Sequence, residues 1–435
     1  MAPASEAEAV GLRTHPLTAL VQGALWAAPA VLALVSSILT GDGWGDLDPW
    51  LSLGAALVGG LVLGLGYGWV GWRFTRYVID GTELRITSGV VTRSSRRIPY
   101  ERIQSVDIAE PLVARVLGLA ELRIEMAGGK ESRTSLRFLT LEDTRALRRV
   151  LLSRAHGESP SEAPPERRSV ITVVPPDRVV VGTLLSLDFL LAVAIIVGLA
   201  VAAIWFEQVV VLLGGIASGG PWVAQIIGTR VVQQWGFTLS RGDRGLRIER
   251  GLLSRTSQTI PYARVQGIAI KEPFVWRRLG WQRLEVDVAG YAAHGSEEGM
   301  SSSSILLPIA DRALAAAVVA ELVPGADVDV VPRTRASRRS RIFAPIGWRY
   351  RWVGADGTSF VAREGWIQRT TSIVPHRKTQ SVEVRQGPLQ RRLGVATVEV
   401  HTPQGPVDAD GKHLDAVAAR AVLVEQLDRA RASRA

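Results

Sequence analysis

The chain has 435 residues and no cysteine. Disulfides, thiolate nucleophiles and cysteine-bound metals are therefore excluded. Lysine is scarce as well, supplying 4 of the 51 basic residues, with arginine making up the rest. Histidine is sparse, and His15, His156, His294, His376, His401 and His413 form no HExxH or other close ligand pair. No metal and no cofactor is expected on that ground. The GxSxG elbow, the phosphate-binding P-loop and the kinase signature set are all missing. Asp107, Glu110 and Glu272 lie near a motif described below, and they read as exposed loop or strand carboxylates. A non-enzymatic protein is the expectation.

What is present is an uneven mixture. Apolar residues make up 47% and charged residues 21%, with a net charge of +10. That balance fits nucleic acid or an anionic membrane surface. No recognition helix or stacking motif appears, so nucleic acid is not expected. The arginine, alanine and valine bias fits a GC-rich bacterial genome. The first residues carry Glu6 and Glu8 rather than a positive patch, which does not read as a cleaved signal peptide.

Four long apolar runs stand out. Thr18 to Leu39 has 22 residues and Trp50 to Trp72 has 23, both without charge. Val179 to Trp205 has 27 with one charge, Asp188, and Gln208 to Thr229 has 22 with none. About 20 apolar residues span a bilayer as a helix, so four transmembrane helices in two hairpins are expected. Gly219, Gly220 and Pro221 interrupt the fourth run, which would also suit a re-entrant segment. The first connection holds Asp42, Asp46 and Asp48 without Lys or Arg, whereas Arg13, Arg73, Arg76, Arg178 and Arg230 lie on the other flanks. The positive-inside rule places the termini and the long polar segments in the cytoplasm, beneath a bacterial plasma membrane. Gly60, Gly64 and Gly68 share one helix face in the second span, a spacing that permits close helix packing or reflects ordinary glycine enrichment.

The polar segments repeat three times. The copies read ITSGVVTRSSRRIPYERIQSV, IERGLLSRTSQTIPYARVQGI and AREGWIQRTTSIVPHRKTQSV, around Gly89, Gly251 and Gly365. In each copy a proline follows ten residues later (Pro99, Pro261, Pro375) and a glutamine five after that (Gln104, Gln266, Gln380). Leu-Gly pairs close the blocks at Gly118, Gly280 and Gly394, and an alternating strand pattern follows each. Asp80-Gly81 and Asp356-Gly357 read as hairpin turns. Every copy ends in a helix signal, the first opened by a Thr140-to-Asp143 capping box.

This unit, several short strands and a helix in about 85 residues, resembles the bacterial pleckstrin-homology domain of the second type. The glycine-to-proline block, the string from Ile98 and the Leu-Gly closure carry the resemblance, over about 260 of the 435 residues. It implies a strongly bent antiparallel sheet, nearly closed into a barrel and covered at one end by the C-terminal helix. The expected fold is an α+β membrane protein with two transmembrane helical hairpins and three pleckstrin-homology-like domains. Its segments are a tail to residue 16, a hairpin over 17–72, a repeat over 73–156 and a linker over 157–177. A second hairpin over 178–234 precedes a repeat over 235–324, a basic linker over 325–347 and a repeat over 348–435. The third copy departs from the pattern: no hairpin precedes it, and His376 replaces the tyrosine of Tyr100 and Tyr262.

Two features are candidate sites. Seven arginines (333, 335, 338, 339, 341, 349, 351) fall between Arg333 and Arg351 with no acid among them, and Arg93, Arg96 and Arg97 form a smaller group. Near an anionic leaflet each such charge contributes about 1 kcal/mol, and guanidinium groups bind phosphate in a bidentate way. The plainer reading is a solvated linker. Asp188 is the second candidate. Within the hydrocarbon it should face a partner or water; a span starting near Phe189 would instead put it at the interface, which is the favoured reading. The expected function is a membrane-anchored scaffold that binds anionic lipid, other membrane or cytoplasmic proteins, or itself. The alternative is a transport component using the helical bundle.

Overall fold

The computed structural model describes residues 11–13, isolated positions between 54 and 73, 76–155 apart from 81, 89–93 and 127–132, 169–289 apart from 208 and 244, and 304–434 apart from 404. The first expected hairpin, with Gly60, Gly64 and Gly68, lies outside the described residues apart from those isolated positions, as does Arg93. The chain divides into two compact units, residues 1–165 with 253–258, and residues 166–252 with 259–435.

In the first unit, strands β1 (Gly11–Arg13), β2 (Arg76–Ile79), β3 (Glu83–Ser88) and β4 (Ser94–Pro99) form an antiparallel sheet in that order. Strands β5 (Ile103–Pro111), β6 (Leu119–Met126) and β7 (Arg133–Thr140) form the second layer. The two layers close on a core of Tyr77, Leu84, Ile98, Ile108, Leu122, Ile124 and Leu136. The short helix α1 (Leu112–Val116) links β5 to β6, and α2 (Leu141–Ala155) covers the core with Leu147 and Leu151. Half of the expected capping box is formed: Thr140 Oγ1 accepts from the Asp143 N–H (3.1 Å), while the Asp143 carboxylate accepts from the Thr140 hydroxyl (2.6 Å) instead of from its backbone N–H. Residues Ser254–Ser257 also belong to this unit, where they pair antiparallel with Ile108–Pro111.

The second unit begins with β8 (Ser169–Val173) and three helices, α3 (Pro176–Leu184), α4 (Leu187–Trp205) and α5 (Val209–Ile227). The sequence reads as one span over Val179–Trp205, whereas the structure breaks it at Ser186, whose backbone is extended at ψ 145°. The physical reason lies in α3. Val179 is buried in the core built by the strands of this unit, and Trp276 Nε1 donates to the Gly182 carbonyl (3.1 Å), so this first stretch packs on protein. Among the described residues, α4 is the one helix long and apolar enough to cross a membrane. Helix α5 runs unbroken through Gly219, Gly220 and Pro221. It approaches α4 closely, since a Cβ on Gly215 would meet Leu199 Cδ1 at 3.0 Å and one on Gly219 would meet Ile196 Cγ1 at 2.7 Å.

The rest of this unit holds two repeats. The second comprises β9 (Thr238–Gly242), β10 (Gly245–Arg250), β11 (Ser254–Pro261, of which Thr259–Pro261 lie in this unit), β12 (Val265–Pro273), helix α6 (Phe274–Leu279), β13 (Trp281–Val288), β14 (Ile305–Asp311) and helix α7 (Arg312–Leu322). The third comprises β15 (Thr334–Arg335), β16 (Trp352–Ala355), β17 (Ser359–Glu364), β18 (Gln368–Pro375), β19 (Ser381–Arg385), helix α8 (Pro388–Leu393), β20 (Val395–His401), β21 (Ala409–Asp415) and helix α9 (Ala416–Ala432). One antiparallel sheet of seven strands, ordered β14-β13-β12-β18-β17-β16-β15, joins the two repeats. The Leu-Gly closures acquire a local meaning here. Gly280 and Gly394 take left-handed φ of 70° and 65° and cap the short helices α6 and α8. The repeated glutamine also has a place, because the β5–β6 and β12–β13 registers slip at Gln104 and Gln266, which marks them as bulges.

Candidate functional site

The arginine-rich segment of the third repeat is held by its small and aromatic residues. Ala336 N–H donates to the Arg351 carbonyl and Ser337 N–H to that of His413, both at 3.0 Å. Ser337 then caps a short 3-10 turn, Arg338–Ile342, accepting from the Arg339 N–H at 3.4 Å. Ser340 is fully buried, and its hydroxyl donates to the Ser337 carbonyl at 2.6 Å. Phe343 stacks on the His413 ring, with centroids 4.4 Å apart. These inward anchors leave Arg338, Arg339 and Arg341 exposed on the other side of the turn. Ile342 and Ile346 are exposed beside them, at 65% and 56%. Arg339 Nη1 reaches the Leu393 carbonyl at 3.4 Å, whereas Arg335, Arg338 and Arg341 have no ion pair among the described residues. Arg333 lies 4.8 Å over the Trp352 ring, which makes it part of the scaffold. Cations interleaved with exposed apolar side chains suit the boundary between headgroups and acyl chains. The isoleucines escaped the charge-based sequence reading, although the spacing Arg341-Ile342-Phe343-Ala344-Pro345-Ile346 was a readable signal.

The other expected site residues are dispersed. Arg96 Nη1 donates to Thr134 Oγ1 at 2.7 Å, and Arg97 Nε stands 3.9 Å from Glu83 Oε1. Asp188 is in the first turn of α4, where Arg230 Nη2 meets its Oδ2 at 2.7 Å. A carboxylate there also faces the positive end of the helix dipole. On the third repeat, Glu383, Glu399 and His401 bring potential ligand atoms within 4.8 Å of one another. Arg385 already lies 3.8 Å from Glu383 and 3.3 Å from Glu399, so a guanidinium supplies positive charge to that cluster.

Comparison with known proteins follows the same periodicity. The Bacterial PH domain family matches residues 25–155, 179–326 and 304–433. The chain is 24% identical over 290 residues to the transmembrane protein YdbT of Bacillus subtilis (strain 168), a stretch covering 58% of each chain. Less than two thirds of that relative is therefore spanned. The three matches fall on the three copies of antiparallel strands with a closing helix, and the chain belongs to the bacterial PH domain family.

Proposed function

We propose that this protein is a non-enzymatic docking module, anchored in a bacterial plasma membrane with its repeats on the cytoplasmic face. In this reading the arginine-rich turn of the third repeat rests on anionic headgroups while other surfaces take up protein partners. The observation that carries it is the pairing of outward Arg338, Arg339 and Arg341 with exposed Ile342 and Ile346 on a turn pinned from beneath. The aspartates of the first expected connection, Asp42, Asp46 and Asp48, and the arginines on the opposite flanks support the orientation. Tethering keeps the turn near the bilayer, so a contact that is weak alone persists. Transport through the helices has less support, because the charge of Asp188 is met by Arg230 at the start of α4.

The absence of native cysteine allows a direct test. The full chain carrying Ile342→Cys, labelled with an environment-sensitive fluorophore, is placed in vesicles containing a lipid-borne quencher. Quenching is expected with phosphatidylglycerol present, weakening as salt rises to about 0.5 M. Arg338→Glu with Arg341→Glu should remove it. Identical fluorescence in phosphatidylglycerol and pure phosphatidylcholine vesicles would sink the lipid contact.

A further inference from the structure

Two strand junctions, one inside each unit, use equivalent repeat positions in the same register. In the first unit, Ser254, Arg255, Thr256 and Ser257 of β11 face Pro111, Glu110, Ala109 and Ile108 of β5. In the second unit, Gln368 to Ile373 of β18 face Pro273 to Ile268 of β12. Arg255 and Arg369 each stand four residues after the repeat glycine, and Glu110 and Glu272 each stand six after the repeat glutamine. Both junctions therefore set arginine opposite glutamate, and Arg369 Nη1 lies 3.7 Å from Glu272 Oε2.

The same rule leaves one strand of the first repeat and one of the third without such a junction among the described residues. Strand β4 is the first repeat's counterpart of β11 and β18, and β3 is its one strand neighbour among the described residues. Strand β19 is the third repeat's counterpart of β5 and β12, and β20 is its one strand neighbour among the described residues. Length reports this state. Strands β5 and β12 have nine residues each, of which Glu110, Pro111, Glu272 and Pro273 pair only across a junction. Strand β19 has five and ends at Arg385, one residue before the junction-only positions would begin at Gln386.

We propose that β19 of one copy pairs antiparallel with β4 of a second copy, so that chains associate head to tail. Carrying over the register of β18 on β12 sets Ser94 opposite Arg385, Ser95 opposite Val384, Arg96 opposite Glu383 and Arg97 opposite Val382. Charge on an exposed edge ordinarily deters strand addition. Here Arg96 meets the exposed Glu383 with opposite charge, and Arg385 keeps its own partner in Glu399. Backbone hydrogen bonds supply the attraction, as in other strand additions. Such an interface uses two different surfaces, so each added copy presents a fresh β4 or β19 until a ring closes or a filament grows. This pairing does not depend on lipid contact by the arginine-rich turn, and its test needs no lipid readout.

Two full-length chains with different tags, one carrying Ser95→Cys and the other Val384→Cys, are co-expressed and oxidised in membranes. Facing Cα atoms of an antiparallel ladder lie about 4.5–5.5 Å apart, within disulfide reach. A species bearing both tags is expected, at least about tenfold more abundant than from Ser95→Cys with Ser381→Cys, which is three residues out of register. Arg96→Glu should cut the yield about tenfold, and Glu383→Arg added to it should restore it. Equal yields from the two cysteine pairs would overturn the proposal, as would a predominance of Ser95-to-Ser95 species. Sedimentation of the cysteine-free chain in detergent checks the same point without any disulfide. Assembly in multiples of 47.0 kDa that rises with concentration is expected, reduced by Arg96→Glu. A chain that stays monomeric at every concentration refutes it.

Discussion

His376 Nε2 lies 3.0 Å from the backbone carbonyl oxygen of Asp356, the aspartate of the third repeat's Asp-Gly turn. In the first repeat Tyr100 Oη donates to the carbonyl of Asp80 at 2.7 Å, holding the equivalent turn. Each closing helix sends an arginine to the same oxygen, Arg154 in the first repeat and Arg429 in the third. The tyrosine-to-histidine change therefore preserves a structural bond and swaps the group that makes it.

That swap makes the third repeat sensitive to acid. Burial, joined by the charge of Arg429, lowers the His376 pKa from its ordinary 6.5. The unfolded chain thus takes up the proton first, and stability falls as pH drops below about 6.5 and on through the folded-state pKa. His376→Tyr should unfold near the parent temperature at pH 7.5 and lose less than the parent at pH 5.5. His413, whose pKa burial also lowers, keeps some acid sensitivity in the variant. Parallel losses in the two proteins would show that His376 does not contribute.

Asp287 works in the opposite direction. It is 1% exposed, its Oδ2 lacks a hydrogen-bond partner among the described residues, and the 405–408 loop lies against it. Burial, with Asp408 nearby, pushes its pKa up to about 7. The folded state then holds the proton more tightly than the unfolded one, so this group's cost is greatest above pH 7 and is relieved as pH falls. Asp287→Asn should raise the thermal midpoint by several degrees at pH 8, a gain of about 2 kcal/mol. The gain should shrink toward pH 5, where the native side chain is itself neutral. A pH-independent gain would assign the effect to packing.

Much of this architecture was legible because it is local. The glycine, proline and glutamine spacing with its Leu-Gly closure marked three copies of one unit, the Asp-Gly pairs marked hairpin turns, and Thr140 with Asp143 marked a helix start. The short helices α1, α6 and α8 were not legible, since five or six residues carry too little periodicity to separate from a strand bend. The place of α3 was hidden for another reason. Its apolar residues suit lipid or protein, and contacts distant in sequence, such as Trp276, 94 positions away from Gly182, decide between them. The pairing of β18 with β12 was invisible because it depends on a partner in another copy, whereas the sequence shows each copy alone.

Gly365 gives a sharp test of the repeat's turn geometry. It links β17 to β18 at φ 89°, and a Cβ there would fall 1.9 Å from the Gln368 carbonyl oxygen. Backbone cannot yield as a flexible side chain can, so Gly365→Ala should cost at least about 2 kcal/mol. Gly357→Ala is the control, since nothing lies within 4 Å of its Cβ position. Comparable thermal midpoints for the two variants would contradict this account of the repeated spacing.

The Asp188–Arg230 pair predicts how the base of the helical hairpin responds to charge. Both side chains are partly exposed, at 37% and 27%, so the 2.7 Å contact is screened but not negligible. Asp188→Asn removes the attraction and leaves Arg230 beside a helix N-terminus, whose dipole repels a cation. A loss of about 1–2 kcal/mol is expected, read as a lower thermal midpoint in detergent and weaker at high salt. Arg230→Gln alone should cost less, because Asp188 keeps its favourable place in the first turn of α4. Exchanging the two, Asp188→Arg with Arg230→Asp, restores the ion pair but sets arginine against the dipole, so rescue should be partial. Full rescue would mean that the dipole contributes nothing here, and none would mean that the carboxylate serves a partner other than Arg230.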